Sequence, residues 1–209
     1  MNLDQLDYVL RHLKADGVSF DAGLTTDEVQ QLEQTFGFRF PADLRALLQA
    51  ALPVSDGFVP WRWGLRNLDI AHKITERLQW PVDGIVFDVT QNSFWLPQWG
   101  TRPADKWQQE AVARQQLVSC PQLIPIYSHR YLPALPCESG NPVFSVYGTD
   151  IVYYGYDLFS YLVHEFNLHY PLIGQAPTKP KHIAFWSDFD EPTDIRSWGY
   201  WDEMEEETT

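Results

Sequence analysis

Cysteine and basic side chains are both scarce in this 209-residue sequence. The two cysteines, Cys120 and Cys137, are too few for a disulfide framework and lack the paired spacing of a zinc knuckle. We therefore expect free thiols in a reducing cytoplasm, with a single bridge as the alternative. Lysine and arginine together number 15 against 28 aspartates and glutamates, and the formal net charge is -13. This balance argues against nucleic acid and anionic membranes as partners, and favours a cationic partner or mere solubility.

Long hydrophobic runs are also missing. No stretch approaches the roughly 18 consecutive apolar residues of a membrane span. The N-terminus lacks the basic region followed by an apolar run that is typical of a signal peptide. We therefore expect a cytoplasmic protein. The length suits one domain, and a hydrophobic content of 44% with 15% aromatic residues is typical of a globular chain.

The sequence contains none of the usual catalytic motifs: no GxSxG elbow, no phosphate loop and no GxGxxG. His164 and His169 are five residues apart, about 140° around an ideal helix, so they do not form the HExxH metal motif. Ser128 and His129 are adjacent, and neighbouring side chains on a strand or turn are expected to point apart. The sequence therefore predicts no catalytic residue, no bound metal and no cofactor.

Residues 24–52 carry the strongest local signals. Thr25 is a good N-cap, and Glu28 completes a capping box three residues later. Gly37 fits a left-handed helix end, and Pro41 fits the first turn of a second helix. Apolar side chains repeat at helical spacing through both segments: Val29, Leu32, Phe36, Leu44, Leu47, Leu48 and Ala51. This stretch is predicted to be two helices joined by a tight corner.

A capped helix, a GFxFPxDL corner and a leucine-rich helix resemble the opening of the SUKH (Smi/Knr-like) superfamily. That group includes a yeast cell-wall-synthesis regulator and many bacterial immunity proteins. The matching residues are Leu24, Glu28, Glu33, Gly37, Phe40, Pro41, Leu44 and Leu48. With the later proline-bearing strand LIPIY, a hairpin and a final helix, the resemblance covers residues 24–166. It implies an α+β fold, with an antiparallel sheet of about four to six strands flanked by N-terminal helices and a closing C-terminal helix.

The other segments are assigned from periodicity and turn residues. Helices are predicted at residues 3–13, 67–79, 104–118 and 158–166, and a loop at residues 53–64. Strands are predicted at residues 18–20, 85–89, 123–127, 143–147 and 151–154, with Gly148, Thr149 and Asp150 as a three-residue hairpin loop. Residues 1–170 are expected to form the domain, and residues 171–209 a linker and an acidic, partly ordered tail.

The candidate partner-binding residues are aromatic, polar or acidic side chains in the predicted loops: Trp61, Trp63, Trp95, Trp99, His129, Arg130, Tyr131, Asp56 and Asp150. Trp61 and Trp63 would face one side of an extended segment. They are interpreted as a stacking platform for a sugar or base, as a protein anchor, or as a lid on the core. His129, Arg130 and Tyr131 are interpreted as an interface rim.

The residues from Asp188 onward include nine acidic side chains and one base, Arg196. This tail either aids solubility or mimics nucleic acid to block a basic toxin, as the resemblance implies. We therefore expect a non-catalytic protein-binding domain, such as an immunity protein against a nuclease-type toxin. The alternatives are an interaction module in cell-wall or signalling regulation, and a small-ligand or carbohydrate binder using the Trp-rich loops.

Overall fold

A computed structural model describes residues 1–169 and 177–190 and shows an α+β architecture. Its helices are α1 (Leu3–Ala15), α2 (Thr26–Phe36), α3 (Ala42–Ala50), α4 (Trp61–Gly64), α5 (Leu68–Gln91), α6 (Lys106–Leu117) and α7 (Leu158–Glu165). Its strands are β1 (Phe20–Ala22), β2 (Ala51–Pro53), β3 (Leu123–Tyr127), β4 (Arg130–Pro133), β5 (Val143–Tyr147) and β6 (Asp150–Gly155).

The strands form two antiparallel sheets. The larger has four strands in the order β3-β4-β5-β6, and the smaller pairs β1 with β2. A single bridge between Phe58 and Tyr127 joins the loop after β2 to the edge of the larger sheet. The general α+β class is therefore confirmed.

The predicted corner between α2 and α3 is confirmed in its local details. The Glu28 amide donates to Thr25 Oγ1 over 3.1 Å, and the Thr25 amide donates to Glu28 Oε2 over 2.9 Å. Gly37 ends α2 in the left-handed region at φ 76°. Pro41 lies one position earlier than predicted, as the N-cap of α3. The two helices are thus fixed by contacts within a few residues.

Helix α5 corrects two predictions at once. It runs for 24 residues instead of ending at residue 79, and the strand predicted at residues 85–89 is its last part. Ile74, Leu78, Ile85 and Val89 are buried at helical spacing along one face. Pro81, which normally interrupts a helix, lies inside it. Despite this length, no helix in the described part of the chain is apolar enough to cross a membrane.

Strands β3 and β4 of the larger sheet are buried on both faces. Ile124 and Ile126 belong to a core shared with α1, α2, α3 and α7. Leu123 and Tyr131 belong to a second core shared with α5 and α6. Because side chains alternate along a strand, a strand with two buried faces has a continuous apolar sequence. This explains why β3 reads as an unbroken apolar run.

Strands β3, β5 and β6 and helix α7 lie where the sequence predicts them, whereas β4 was missed. The hairpin between β5 and β6 has two loop residues instead of the predicted three, because Asp150 pairs with Tyr147 within the ladder. The predicted loop at residues 53–64 contains the short helix α4, and β1 begins two residues later than predicted. Strand β2 was missed as well, because residues 51 and 52 were assigned to the end of the helix before the loop.

The packed part of the chain continues beyond residue 170. Ile183 and Trp186 are buried in the second core, and the Trp186 indole donates to the Pro121 carbonyl over 2.6 Å. Asp190 Oδ2 accepts from the Tyr153 amide of β6 over 3.0 Å. Residues 181–190, which belong to the segment predicted as a linker and partly ordered tail, therefore pack on the domain. Residues 191–209, which carry the rest of the acidic tail, lie outside the described residues.

Candidate functional site

An open cleft of about 750 Å³ lies between α5 and the turns that end the β3–β4 and β5–β6 hairpins. Helix α5 supplies Lys73, Arg77 and Trp80. The hairpin ends supply Ser128, His129 and Tyr147. The Val146 amide donates to the His129 carbonyl over 3.0 Å, so the two hairpin ends lie side by side. The cleft is therefore lined by side chains from three segments that are distant in the sequence: α5, the β3–β4 turn and the end of β5.

The spacing of three residues along α5 places their side chains on the same wall of the cleft. Lys73, Arg77 and Trp80 lie at positions i, i+4 and i+7, which share one face of a helix. Gly84 continues this face, and its missing side chain lets the β5–β6 turn approach: a Cβ there would lie 3.0 Å from the Gly148 Cα. Asp88 Oδ2 accepts from the Thr149 amide over 2.7 Å and anchors the same turn. The contacts of Gly84 and Asp88 with the β5–β6 turn thus fix the position of this turn relative to α5.

Arg77 links two walls of the cleft. Its Nη2 donates to the Gly57 carbonyl over 3.0 Å and to the Ser128 carbonyl over 2.6 Å. Burial lowers the pKa of Arg77, but an arginine side chain stays protonated in proteins. The guanidinium therefore remains a cation with its orientation fixed by two main-chain oxygens.

Ser128 and His129 are closer than the sequence indicated. Ser128 Oγ lies 3.1 Å from His129 Nδ1, because Ser128 adopts a left-handed conformation at φ 46° that brings adjacent side chains together. Arg130 Nη1 donates to His129 Nε2 on the other side of the ring. Ser128 Oγ and the Arg130 guanidinium therefore contact the two ring nitrogens of His129 from opposite sides.

His129 is exposed, but the rim predicted with its two neighbours is not formed. Arg130 is 8% exposed and Tyr131 is 1% exposed, because both belong to the buried strand β4. Arg130 Nε donates to Glu165 Oε2 over 2.9 Å, and its guanidinium stacks 3.6 Å from the centre of the Tyr154 ring. Burial and the nearby Arg130 lower the pKa of His129. Arg130 thus ties β4 to β6 and α7 instead of facing a partner.

The four predicted tryptophans have different environments. Trp61 is 2% exposed and packs edge-on against Phe40, with ring centroids 5.3 Å apart, and Trp99 is also buried. Trp95 is half-buried and donates to the Gly100 carbonyl over 2.8 Å. Trp63 is exposed above a small cavity of about 80 Å³. Because Trp61 and Trp63 are in a helical turn and not an extended segment, they form no common stacking platform.

Asp56 and Asp150 are both exposed. Asp56 precedes Gly57, whose carbonyl Arg77 binds, and Asp150 pairs with Tyr147 at the hairpin end. Of the predicted residues, His129 therefore lines the cleft, and Asp56 and Asp150 lie next to residues that contact or line it. The four predicted tryptophans do not line this cleft. Sequence reasoning missed Lys73, Arg77, Trp80 and Tyr147. With α5 extended to Gln91, Trp80 would have stood out as an aromatic residue off the buried face.

Within the described residues, no group of three or more His, Cys, Asp or Glu side chains is placed to hold a metal ion. Cys120 and Cys137 are free thiols, and burial raises the pKa of Cys120 to about 11. A thiol with so high a pKa is a poor nucleophile at neutral pH.

Comparisons with protein-family models, with curated proteins and with solved structures gave no significant match to this chain.

Proposed function

We propose that this protein is a non-catalytic protein-binding domain whose partner docks at the cleft between α5 and the two hairpin ends. The observation that carries the proposal is the exposure of two aromatic side chains at the opening. Trp80 is 53% exposed and Tyr147 is 72% exposed, and both line the cleft. Aromatic side chains with a polar edge are the usual anchors of protein interfaces. An open groove of this size suits a protein segment.

The electrostatics favour a partner of opposite charge. With a formal net charge of -13, the chain attracts a basic protein over long range and speeds its encounter. In its most specific form, the proposal is an immunity protein that neutralises a basic, nuclease-type toxin. The resemblance to the SUKH superfamily supports this form, and so does the order of leading helices, antiparallel strands and closing helix. The same features suit an interaction module in cell-wall or signalling regulation.

Two features support binding over other activities. The contact of His129 Nε2 with the Arg130 guanidinium occupies one side of the imidazole beside Ser128, which favours a structural role for this pair. The burial of Trp61 removes the stacking platform on which a carbohydrate-binding function depends. We therefore place the interaction at the cleft and not at the Trp61–Trp63 turn.

The test is quantitative capture from cells that naturally express the protein. Tagged wild type is compared with a Trp80→Ala/Tyr147→Ala double variant and with Trp107→Ala, which removes an aromatic side chain that is 76% exposed and does not line the cleft. The expected result is one protein captured by wild type and by Trp107→Ala, and strongly reduced with the double variant. A partner retained equally by all three would place the interface elsewhere. Identification of the captured protein separates a toxin from a regulatory partner.

A further inference from the structure

The cleft contains two cations that no described carboxylate neutralises. Arg77 donates through Nη2 to two main-chain carbonyls, and its side chain also contacts the Tyr131 hydroxyl. Lys73 is exposed one helical turn earlier and has no ion pair with any described residue. A half-buried cation is normally paired with an acid. This arrangement is unexpected in a chain with 28 acidic side chains.

The acids at the same cleft face other bases. Asp83 Oδ1 accepts from Arg114 Nη1 of α6 over 3.0 Å. Glu76 Oε1 lies 3.3 Å from His72 Nε2. Among the described residues, Lys73 and Arg77 therefore have no carboxylate within ion-pair distance, while Asp83 and Glu76 line the same cleft. These two cations form the candidate site, and its fixed member is Arg77, because the Gly57 and Ser128 carbonyls hold that guanidinium in place before any ligand arrives.

We propose that this site binds a carboxylate of the docking partner, carried by an acidic side chain or by a chain end. Arginine has five N–H donors, and the two bonds through Nη2 and the contact with Tyr131 leave further donors for a carboxylate. The planar guanidinium matches a carboxylate better than a single ammonium does. Trp80, three residues after Arg77, and Tyr147 opposite provide apolar contact for the residues that flank the acid. This inference rests on the proposed function, because it names the group by which that same cleft recognises its partner.

The charges act over different distances. The net charge of the chain governs the encounter, whereas the carboxylate contact forms only after docking, at hydrogen-bond distance. A partner with overall positive charge and one well-placed acidic group satisfies both. The contact adds specificity, because a partner without that acid leaves the fixed cations unpaired in the interface.

The experiment uses two capped peptides, acetyl-Leu-Phe-Glu-Leu-amide and its Gln counterpart, with inorganic phosphate as a third probe. Binding to the full chain is followed by NMR through the Arg77 Nε–H and Trp80 indole N–H signals. We expect saturable shifts with the Glu peptide and about tenfold weaker binding of the Gln peptide, the usual effect of losing a charged hydrogen bond. Equal binding of the two peptides, no shift with either, or shifts with phosphate alone would overturn the inference.

Lys73→Gln gives the matched variant, because Lys73 is exposed and its replacement leaves the Arg77 contacts intact. The control is Lys179→Gln, which removes the same charge from an exposed lysine that does not line the cleft. We expect about threefold weaker binding of the Glu peptide by Lys73→Gln, as for an exposed ion pair, and no change with Lys179→Gln. Equal binding by both variants would count against the site. If the aromatic cleft variants abolish partner capture while the peptides fail to bind, only the carboxylate inference falls.

Discussion

The Tyr131 hydroxyl donates to the main-chain carbonyl of Arg77 over 3.1 Å. In a regular helix this carbonyl accepts from the amide of the residue four positions later. That residue is Pro81, which has no amide hydrogen. The side chain from β4 therefore replaces the missing helical donor, and burial raises the pKa of Tyr131 to about 12, which keeps its proton in place at neutral pH. This contact lets α5 continue past Pro81 to Gly84 and Asp88, which contact the β5–β6 turn.

The contact predicts that Tyr131 and Pro81 are energetically coupled. In the wild-type chain, Tyr131→Phe leaves the Arg77 carbonyl unpaired and should reduce the free energy of unfolding by about 1–3 kcal/mol. In a Pro81→Ala background, the alanine amide supplies the helical bond. There the same change should cost below about 0.5 kcal/mol, which is surface-like behaviour. Urea unfolding of the four proteins measures the coupling. Equal costs in both backgrounds would show that the hydroxyl does not replace the helical donor.

A second prediction concerns the ion pair of Glu28 with Arg62. The two side chains form a bidentate contact, at 2.7 and 3.0 Å, with Glu28 17% and Arg62 14% exposed. The hydrogen bond from Arg62 lowers the pKa of Glu28 from 4.5 to about 2. A lowered pKa means stabilisation that is present above pH 4.5 and lost as the pH falls toward 2. At 1.36 kcal/mol per unit, and allowing for partial exposure, we expect about 2 kcal/mol.

The measurement compares wild type with Glu28→Gln in urea at pH 6 and pH 3. The difference in unfolding free energy should be about 2 kcal/mol at pH 6 and less than about half of that at pH 3, since the wild-type advantage is lost on protonation. Asp7→Asn is the control, because the Asp7–Arg11 pair is exposed on both sides. A pH-independent difference for Glu28→Gln would mean that the charge of Glu28 contributes nothing to stability.

A third prediction tests the packing of α3 against the first core. Leu48 is 3% exposed, and Leu48→Ala should cost about 2–5 kcal/mol because it leaves a cavity. Leu68 at the start of α5 is 89% exposed, and Leu68→Ala should stay within about 0.5 kcal/mol of wild type. Denaturant melts provide both values. A loss below about 0.5 kcal/mol for Leu48→Ala would contradict its position in the core.

Sequence reasoning succeeded where the determining contacts are local. The Thr25–Glu28 capping box and the left-handed Gly37 depend on residues that are close in the chain, so short patterns predict them. The Asp157 cap of α7 is another case, since its side chain accepts from the Ser160 amide three residues later. Strands β3, β5 and β6 were found from apolar runs alone.

Prediction from the sequence failed where a residue distant in the chain determines the local secondary structure. Pro81 and the β-branched residues after it indicate the end of a helix and a new strand, and the contact that maintains the helix comes from Tyr131, 54 positions after Arg77. The cleft depends in part on the same continuation, because Gly84 and Asp88 beyond Pro81 contact the β5–β6 turn. The tryptophans allowed several interpretations from the sequence, and Trp61 has the environment expected for a lid on the core. It fills a space among three phenylalanines of α2 and the corner after it.

A fourth prediction concerns the acidic end of the chain. Asp190 accepts from the Tyr153 amide of β6, and Asp188 pairs with His182 within the segment that packs on the second core, so the chain is shortened after Asp190. Residues 191–209 carry seven acidic side chains and one arginine. For a basic partner, this deletion should lower the association rate and flatten its salt dependence, with a smaller effect on dissociation. Surface-binding kinetics at two ionic strengths measure both rates. Unchanged association would leave solubility as the role of these acids.

The equilibrium Kd of the purified partner for the cleft variants tests the central claim most directly. Calorimetry on wild type, Trp80→Ala/Tyr147→Ala and Trp107→Ala compares the loss of cleft aromatics with the loss of an equally exposed one elsewhere. The account predicts a Kd at least about 30-fold weaker for the double variant, the size of an interface hot spot of about 2 kcal/mol, and an unchanged Kd for Trp107→Ala. A double variant that binds within about twofold of wild type would contradict the assignment of the cleft as the docking site.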